Sequence, residues 1–338
     1  ILISPRRMGK TSLVKKVQNQ INNPKIRVVY MDIYDCRSEY DFYNKFATTI
    51  LKETSGKMDL FLDNVKQFLT RLSPKVSFSP DPNVDYSVSL GITPKNYSPE
   101  EILNLPEQIA AKMDIHIVVC IDEFQQIGEW ADSLTIQKRM RSVWQHQQHT
   151  SYCLFGSKKH LLANLFQNRR MPFYHFGDTI FLKPISTNDW IPFICGKFAE
   201  KGKKISEELV SKICSTVASH SSYVQQLAWN IMVNTETEVT DEIFQQSISE
   251  LLAQCSPLFI QQIQGLTTYQ MNLIRCLCQG VRKDFTSKDV LETYQLGSKS
   301  NISRLKKTLV EKEIIEEEGD TITLADPIFE LWFKREYM

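Results

Sequence analysis

The residues best suited to chemistry lie at the very start of the chain. A short apolar segment is followed by the run Pro5-Arg6-Arg7-Met8-Gly9-Lys10-Thr11-Ser12, and then by a segment with the apolar spacing of a helix. A tight loop between a strand and a helix turns backbone N–H groups inward, where the helix dipole favours anions. The sequence therefore predicts a polyphosphate-binding loop formed by Ser4, Pro5, Arg6, Arg7, Met8, Gly9, Lys10, Thr11 and Ser12.

Two side chains of this loop are suited to a nucleoside triphosphate and its cation. Lys10 would reach the β- and γ-phosphates, and the Thr11 hydroxyl would ligate Mg²⁺. The first glycine of the G-x-x-x-x-G-K-[ST] pattern is Ser4 here. The alternative interpretation is a strand-to-helix turn with an exposed lysine.

A second candidate group lies about a hundred residues later, where an apolar run ends in two carboxylates. The run Ile115–Ile121 is rich in β-branched residues and is followed by Asp122 and Glu123. Such a run is typical of a strand buried on both faces of a parallel sheet, and ligands bind at the carboxyl ends of such strands. Asp122 is predicted to hold Mg²⁺, and Glu123 to orient or deprotonate an attacking water. An acidic helix cap is the alternative.

Together with Phe155-Gly156-Ser157, these motifs resemble the archaeal-type ATPase family, which is related to AAA+ and STAND proteins. The resemblance extends over nearly the whole chain. It implies an α/β P-loop NTPase core with a parallel sheet, a helical lid and a C-terminal winged-helix domain. We expect ATP and Mg²⁺ as cofactors, with ATP hydrolysis driving a switch of the lid and winged helix. The alternative is a non-hydrolytic nucleotide-gated scaffold or a winged-helix DNA-binding regulator.

The order of predicted elements divides the chain into three parts. Residues 1–184 are predicted to form the P-loop core, with a surface insertion at about 58–97 that includes a short strand, Tyr86–Ile92. Residues 185–264 are predicted to form the helical lid, and residues 265–338 the winged helix. Asp32, at the end of the second predicted strand, is interpreted as a turn cap rather than a metal ligand.

Two more catalytic candidates follow the predicted strand Tyr152–Phe155. By resemblance, Ser157 takes the position of a polar sensor that contacts the γ-phosphate; an N-cap for the helix Lys158–Phe166 fits the pattern equally well. Arg170 is a candidate arginine finger, from this chain or a neighbouring subunit, although a solvated basic turn is favoured. The segment 219–227 has no arginine where an AAA+ protein would place a second sensor, which favours a STAND-like switch.

The last seventy residues have the element order of a winged helix. The third predicted helix of this region, Ser300–Glu311, and its start carry the cations that could contact DNA. Against this, residues 268–338 contain 11 Lys and Arg and 12 Asp and Glu, and the predicted wing contains Glu316-Glu317-Glu318. DNA is therefore a candidate partner that is not favoured, through Lys299, Arg304, Lys306 and Lys307.

The composition of the chain narrows the classes of protein to which it can belong. A net charge of +1 gives no overall field that would attract nucleic acid or an anionic membrane. The eight cysteines are scattered, which suits buried thiols in a reducing cytoplasm. No apolar run approaches the roughly 18 residues that span a bilayer, and no signal peptide is found. We expect a cytoplasmic protein with an unidentified protein partner, with oligomer formation left open.

Overall fold

The computed structural model describes residues 1–54 and 98–338. The chain forms two compact units, Ile1–Lys183 and Pro184–Met338. The first is built around parallel strands, and the second is helical with one small hairpin. The predicted insertion at 58–97, with its short strand Tyr86–Ile92, lies outside the described residues.

A parallel arrangement of five strands organises the first unit. Strand β3 (His116–Asp122) lies between β2 (Ile26–Asp32) and β4 (Thr150–Leu154), and β1 (Leu2–Ile3) pairs with β5 (Ile180–Phe181), in both cases with parallel register. A bridge between Leu2 and Phe155 places β1 beside the end of β4. The spatial order of the strands is therefore β2-β3-β4-β1-β5.

Helices cover the strands of this unit. A short helix is followed by a second one with Pro106 in its first turn, where a missing N–H costs nothing. Asn104 separates the two. The helices are α1 (Lys10–Gln20), α2 (Glu39–Thr54), α3 (Pro99–Leu103), α4 (Leu105–Met113), α5 (Ser133–Trp144) and α6 (Lys159–Gln167), with a 3₁₀ helix at Phe124–Gly128.

Strand β3 is buried on both faces because its side chains alternate between two cores. Ile117, Val119 and Ile121 pack into the larger core with α2 to α6. Cys120 packs into a smaller core with Val14 of α1. This alternation fixes the direction in which β3 delivers the two carboxylates at its end.

The second unit contains the helices of the predicted lid and the predicted winged helix. The wing is an antiparallel hairpin of β6 (Ile315–Glu318) and β7 (Thr321–Leu324). No helix within residues 1–54 and 98–338 is both long and apolar enough to cross a membrane. The elements are α7 (Thr187–Glu200), α8 (Glu207–Thr216), α9 (Ser221–Asn234), α10 (Asp241–Ile263), α11 (Thr268–Cys278), α12 (Lys288–Thr293), α13 (Lys299–Glu311), β6 (Ile315–Glu318), β7 (Thr321–Leu324) and α14 (Pro327–Tyr337).

One hydrophobic core runs through this second unit. Phe259 of α10 packs edge-on against Phe329 of α14, with ring centroids 5.4 Å apart. Tyr223 of α9 donates a 2.5 Å hydrogen bond to Asp326, whose carboxylate also caps α14. Helix α14, which the sequence analysis did not predict, thus joins the two segments. The division at residues 264 and 265 stays a prediction.

Candidate functional site

The loop between β1 and α1 has the backbone of an anion-binding turn. Arg7 and Gly9 have φ values of 57° and 91°, in the left-handed region. Residues in this conformation turn neighbouring N–H groups toward one side. A Cβ added at Gly9 would meet nothing within 4 Å, so glycine is required here by the backbone angle and not by crowding.

Lys10 is buried, and its ammonium group is folded back onto the loop. The side chain donates to the Ser4 carbonyl at 3.0 Å, to the Ser4 hydroxyl at 3.2 Å and to the Pro5 carbonyl at 2.7 Å. The residue is only 6% exposed, so the alternative of an exposed lysine in an ordinary turn is wrong. Ser4, the departure from the motif, supplies two of these three acceptors, and its hydroxyl is the one that a glycine would lack. Phosphate oxygens would replace these neutral acceptors with charged, stronger ones.

Thr11 and Asp122 meet at the carboxyl end of the strands. The Thr11 hydroxyl donates to Oδ2 of Asp122 at 2.6 Å, and the Tyr30 hydroxyl donates to the same oxygen at 3.1 Å. The backbone N–H of Glu123 donates to Oδ1 at 2.9 Å. Because Thr11 gives its proton to Asp122, its lone pairs stay available to a cation. Hydroxyl and carboxylate oxygens are the donors that Mg²⁺ prefers, so the residues fit this ion.

The carboxylate of Asp122 is strongly desolvated. Burial raises its pKa, while the hydrogen bonds from Thr11, Glu123 and Tyr30 act in the opposite direction. Burial and the charge of Asp122 also raise the pKa of Tyr30, which keeps its phenol a proton donor. A cation bound beside Asp122 would offset the cost of burying this charge.

Glu123 occupies a sharp turn directly after β3. Its φ of 56° is uncommon for a residue with a side chain. The N–H of Phe124 donates to the carbonyl of Phe155 at 2.9 Å, which fastens the turn to the end of β4. Oε2 of Glu123 accepts hydrogen bonds from the Ser157 hydroxyl at 2.9 Å and from its N–H at 3.4 Å. The predicted base and the predicted sensor are therefore in direct contact.

The two helix-cap interpretations do not hold. Helix α6 begins at Lys159, and its N-cap residue is Lys158, without a side-chain cap. The Ser157 hydroxyl is instead used by Glu123, so the N-cap interpretation of Ser157 is wrong. Glu123 precedes the 3₁₀ helix Phe124–Gly128 and makes no side-chain cap either. The acidic pair is thus not explained by capping.

The other predicted site residues differ in exposure. Asp32 accepts the N–H of Tyr34 at 2.8 Å, which confirms it as a turn cap. Met8 is the buried apolar residue of the loop. Three loop side chains point to solvent: Arg6, Arg7 and Ser12.

Arg170 lies in the exposed turn after α6. Its backbone N–H donates to Asn168 at 3.0 Å. Within residues 1–54 and 98–338, no hydrogen bond or ion pair joins its side chain to Lys10, Asp122 or Glu123. This placement agrees with the solvated basic turn that the sequence analysis favoured.

Gln125 belongs to the site although the sequence analysis did not single it out. It is 1% exposed, and its amide nitrogen donates to Glu123. Gly156 makes room for it, because a Cβ there would lie 1.9 Å from Oε1 of Gln125 and 3.1 Å from Cα of Glu123. The turn at Glu123 interrupts the period of two along the strand, so no spacing signal marked this glutamine.

Comparison with known proteins adds the fold. Residues 257–335 match a family model described as a probable winged helix domain. The chain is similar to a Walker-type ATPase of Pyrococcus abyssi, with 15% identity, 98% of this chain and 90% of that chain covered, and a TM-score of 0.69. It is also similar to the ORC2 protein of Aeropyrum pernix in ADPNP–ADP complexes, with 12% identity, 98% and 84% coverage, and a TM-score of 0.56.

The chain has a P-loop ATPase fold. The predicted α/β core with a C-terminal winged helix is thereby confirmed, and the resemblance drawn from the motifs holds at the level of the fold. A comparison with curated proteins finds no match.

Asp122→Asn is expected to stabilise the nucleotide-free protein near neutral pH. Because burial raises the pKa of Asp122, folding favours its uncharged form, and that contribution is lost as pH rises through the folded pKa. Asparagine carries no charge to desolvate. We expect a higher thermal unfolding midpoint at about pH 7, with a difference that shrinks toward about pH 4.

Asp32→Asn is the control, because that side chain caps an exposed turn on the neighbouring strand. It should leave the midpoint close to wild type. If the midpoint of Asp122→Asn were below that of wild type at every pH, the burial of the Asp122 carboxylate would not be destabilising.

Gly156→Ala is expected to lower the free energy of unfolding by about 1–3 kcal/mol, the usual cost of overpacking. The new methyl group would strike the Gln125 amide. In a Gln125→Ala background the methyl group has no amide to strike. Gly156→Ala should therefore lower the free energy of unfolding less in that background than in wild type, as measured by urea denaturation. Gly196→Ala is the control, since a Cβ there meets nothing within 4 Å. Equal stabilities for Gly156→Ala and wild type would refute the predicted clash.

Proposed function

We propose that this protein binds ATP with Mg²⁺ and hydrolyses it to ADP and phosphate. The observation that carries the proposal is the 2.6 Å hydrogen bond between Thr11 of the loop and Asp122 of the acidic strand. It joins two motifs, each ambiguous alone, into one site. Lys10 and Glu123, each next in the chain to one of this pair, complete a binding and hydrolysis set.

In this proposal the loop Ser4–Ser12 binds the polyphosphate through its backbone N–H groups. Lys10 leaves the carbonyls of Ser4 and Pro5 and binds the β- and γ-phosphate oxygens. Thr11 and Asp122 would hold Mg²⁺, directly or through water. An ion held by these residues would supply positive charge that offsets the negative charge of the phosphate oxygens.

For hydrolysis, Glu123 orients a water and accepts its proton. The water oxygen bonds to the γ-phosphorus, the bond to the β–γ bridging oxygen breaks, and ADP leaves with that oxygen. The Ser157 hydroxyl, 2.9 Å from Glu123, is close enough to align the base while facing the γ-phosphate. Arg170 is exposed, and as an arginine finger it would act on a phosphate bound by another copy of the chain.

Two further observations support the proposal. The similar proteins are described as a Walker-type ATPase and as an ADPNP–ADP complex, which favours an adenine nucleotide. The lid and winged-helix segments share one core, so they would respond to the nucleotide state together, as the proposed switch requires.

Glu123→Gln is expected to retain ATP binding and to lower phosphate release at saturating ATP by at least about 100-fold, the usual contribution of a general base. Binding is followed by the ATP-dependent rise of the thermal midpoint. Lys10→Ala should lose both the rise and the turnover. Glu129→Gln, an exposed acid paired with Lys158, is the control and should behave as wild type.

The same measurements separate the alternative function. If ATP with Mg²⁺ raises the midpoint of wild type but phosphate release does not exceed that of Lys10→Ala, the protein is a nucleotide-gated scaffold. If neither occurs, the nucleotide site itself is wrong.

DNA binding by the winged helix is a second candidate, favoured by the exposed face of α13. An open cavity of about 340 Å³ lies at the start of this helix, lined in part by Tyr269, Asn301 and Arg304. The exposed residues recur at helical spacing: Lys299, Ser300, Ser303, Arg304 and Lys307. Lys306 is different, because its ammonium lies 5.1 Å from the centre of the Phe285 ring. The wing opposes DNA binding with exposed Glu317, Glu318 and Asp320.

Replacing Lys299, Arg304 and Lys307 by alanine is expected to weaken low-salt binding of duplex DNA. The slope of log K against log salt should fall by about 2–3, one unit for each phosphate that the variant no longer binds. Lys306→Ala, which removes the cation on the aromatic ring, should change the slope less. Fluorescence anisotropy over a salt series measures both. A wild type that does not bind DNA at low salt removes this candidate.

A further inference from the structure

A buried glutamine lies beneath the turn that carries Glu123. Gln125 is 1% exposed and belongs to the 3₁₀ helix Phe124–Gly128, which follows β3. The roles proposed for the loop Ser4–Ser12, Asp122 and Glu123 do not involve its side chain. An amide in so dry a position has to be explained, because burying a polar group is unfavourable unless it is hydrogen-bonded.

One end of this amide contacts the carboxylate of Glu123. The nitrogen of Gln125 donates to Oε2, and the amide oxygen cannot take this place because two acceptors repel each other. The hydroxyl and the N–H of Ser157 donate to the same Oε2, at 2.9 and 3.4 Å. In the described part of the chain no hydrogen bond is found on Oε1 of Glu123. Three donors therefore fix one oxygen and leave the other to accept a proton.

The other end of the amide has no such partner. Oε1 of Gln125 is buried without a hydrogen bond to any described residue. It lies against Gly156, the position where even a methyl group would collide with it. An apolar side chain of the same size would avoid this unpaired acceptor. The presence of a glutamine despite its unpaired oxygen, and the room that Gly156 leaves for it, indicate that the N–H donor is needed.

We propose that Gln125 is the positioning residue of the catalytic base, holding Glu123 so that Oε1 faces the attacking water. Gln125 does not touch the nucleotide; it acts through Glu123 together with Ser157. This inference rests on the proposed ATPase function. It differs from a packing role, in which Gln125 would influence stability but not the chemistry of Glu123.

Gln125→Met tests the difference, because methionine is similar in size and cannot donate a hydrogen bond. We expect kcat to fall about tenfold, in line with the loss of one hydrogen bond to a charged group. The KM for ATP and the ATP-dependent rise of the thermal midpoint should not change. The acidic limb of the pH–rate profile should move to higher pH, since a carboxylate with one donor fewer takes up a proton more readily.

Gln125→Glu gives a second, polar variant of the same size. It places a second carboxylate beside Glu123, so the acidic limb should move further in the same direction. Gln126→Met is the matched control, because Gln126 is the next residue of the same 3₁₀ helix and, among the described residues, no hydrogen bond joins its side chain to Glu123. It should retain the rate and the profile of wild type.

The outcomes distinguish this inference from the function on which it rests. If wild type hydrolyses ATP, Lys10→Ala does not, and both Gln125 variants keep the wild-type rate and pH profile, the positioning role is overturned while the ATPase stands. Lower thermal stability with an unchanged pH profile also overturns it, in favour of packing. If wild type releases no phosphate above Lys10→Ala, the proposed function fails, and this inference fails with it.

Discussion

The hydrogen bond between Thr11 and Asp122 is the interaction on which the rest of the site depends. It joins residues 111 positions apart, at the start of α1 and the end of β3. For them to meet, β1 has to reach the sheet beside β4, and the bridge from Leu2 to Phe155 places it there. The same arrangement brings the ends of β3 and β4 together, so Ser157 arrives next to Glu123. One topological fact therefore assembles the phosphate loop, both acids and the hydroxyl.

Burial sets the electrostatic character of this assembly. Three donors, of which two are hydroxyl groups, bind the buried carboxylate of Asp122. Its pKa is still raised, because the loss of water on burial outweighs these hydrogen bonds. Glu123 is likewise surrounded by neutral donors from Ser157 and Gln125. Neutral donors orient a carboxylate without cancelling its charge. The site thus keeps two aligned negative groups that a cation or a proton can satisfy.

The sequence predicted those parts of the molecule in which chain neighbours or fixed spacing carry the signal. The loop ending at Lys10, the strand ending at Asp122 and the wing of the winged helix all follow from local patterns. Long-range contacts determine the features that local patterns did not predict. Ser157 is not a helix cap, because its hydroxyl contacts Glu123. Gln125 reaches Glu123 only through a turn with positive φ, which no sequence pattern marks. Helix α14 depends on the contact of Phe329 with Phe259 and on the cap by Asp326. Leu13 and Val17 have core-like spacing on α1, yet they are 41% and 44% exposed.

The hydrogen bonds from Lys10 to its own loop would affect how a ligand binds and leaves. Its ammonium already has three oxygen contacts on Ser4 and Pro5, so Lys10 is not a buried, unsolvated cation. In the proposed function, phosphate binding would exchange one set of acceptors for another, and only the difference between the two sets would contribute to affinity. Weak anions would not outcompete the carbonyls of the loop itself. The same exchange would favour the departure of a product, because Lys10 would regain its partners on Ser4 and Pro5 as the phosphates leave.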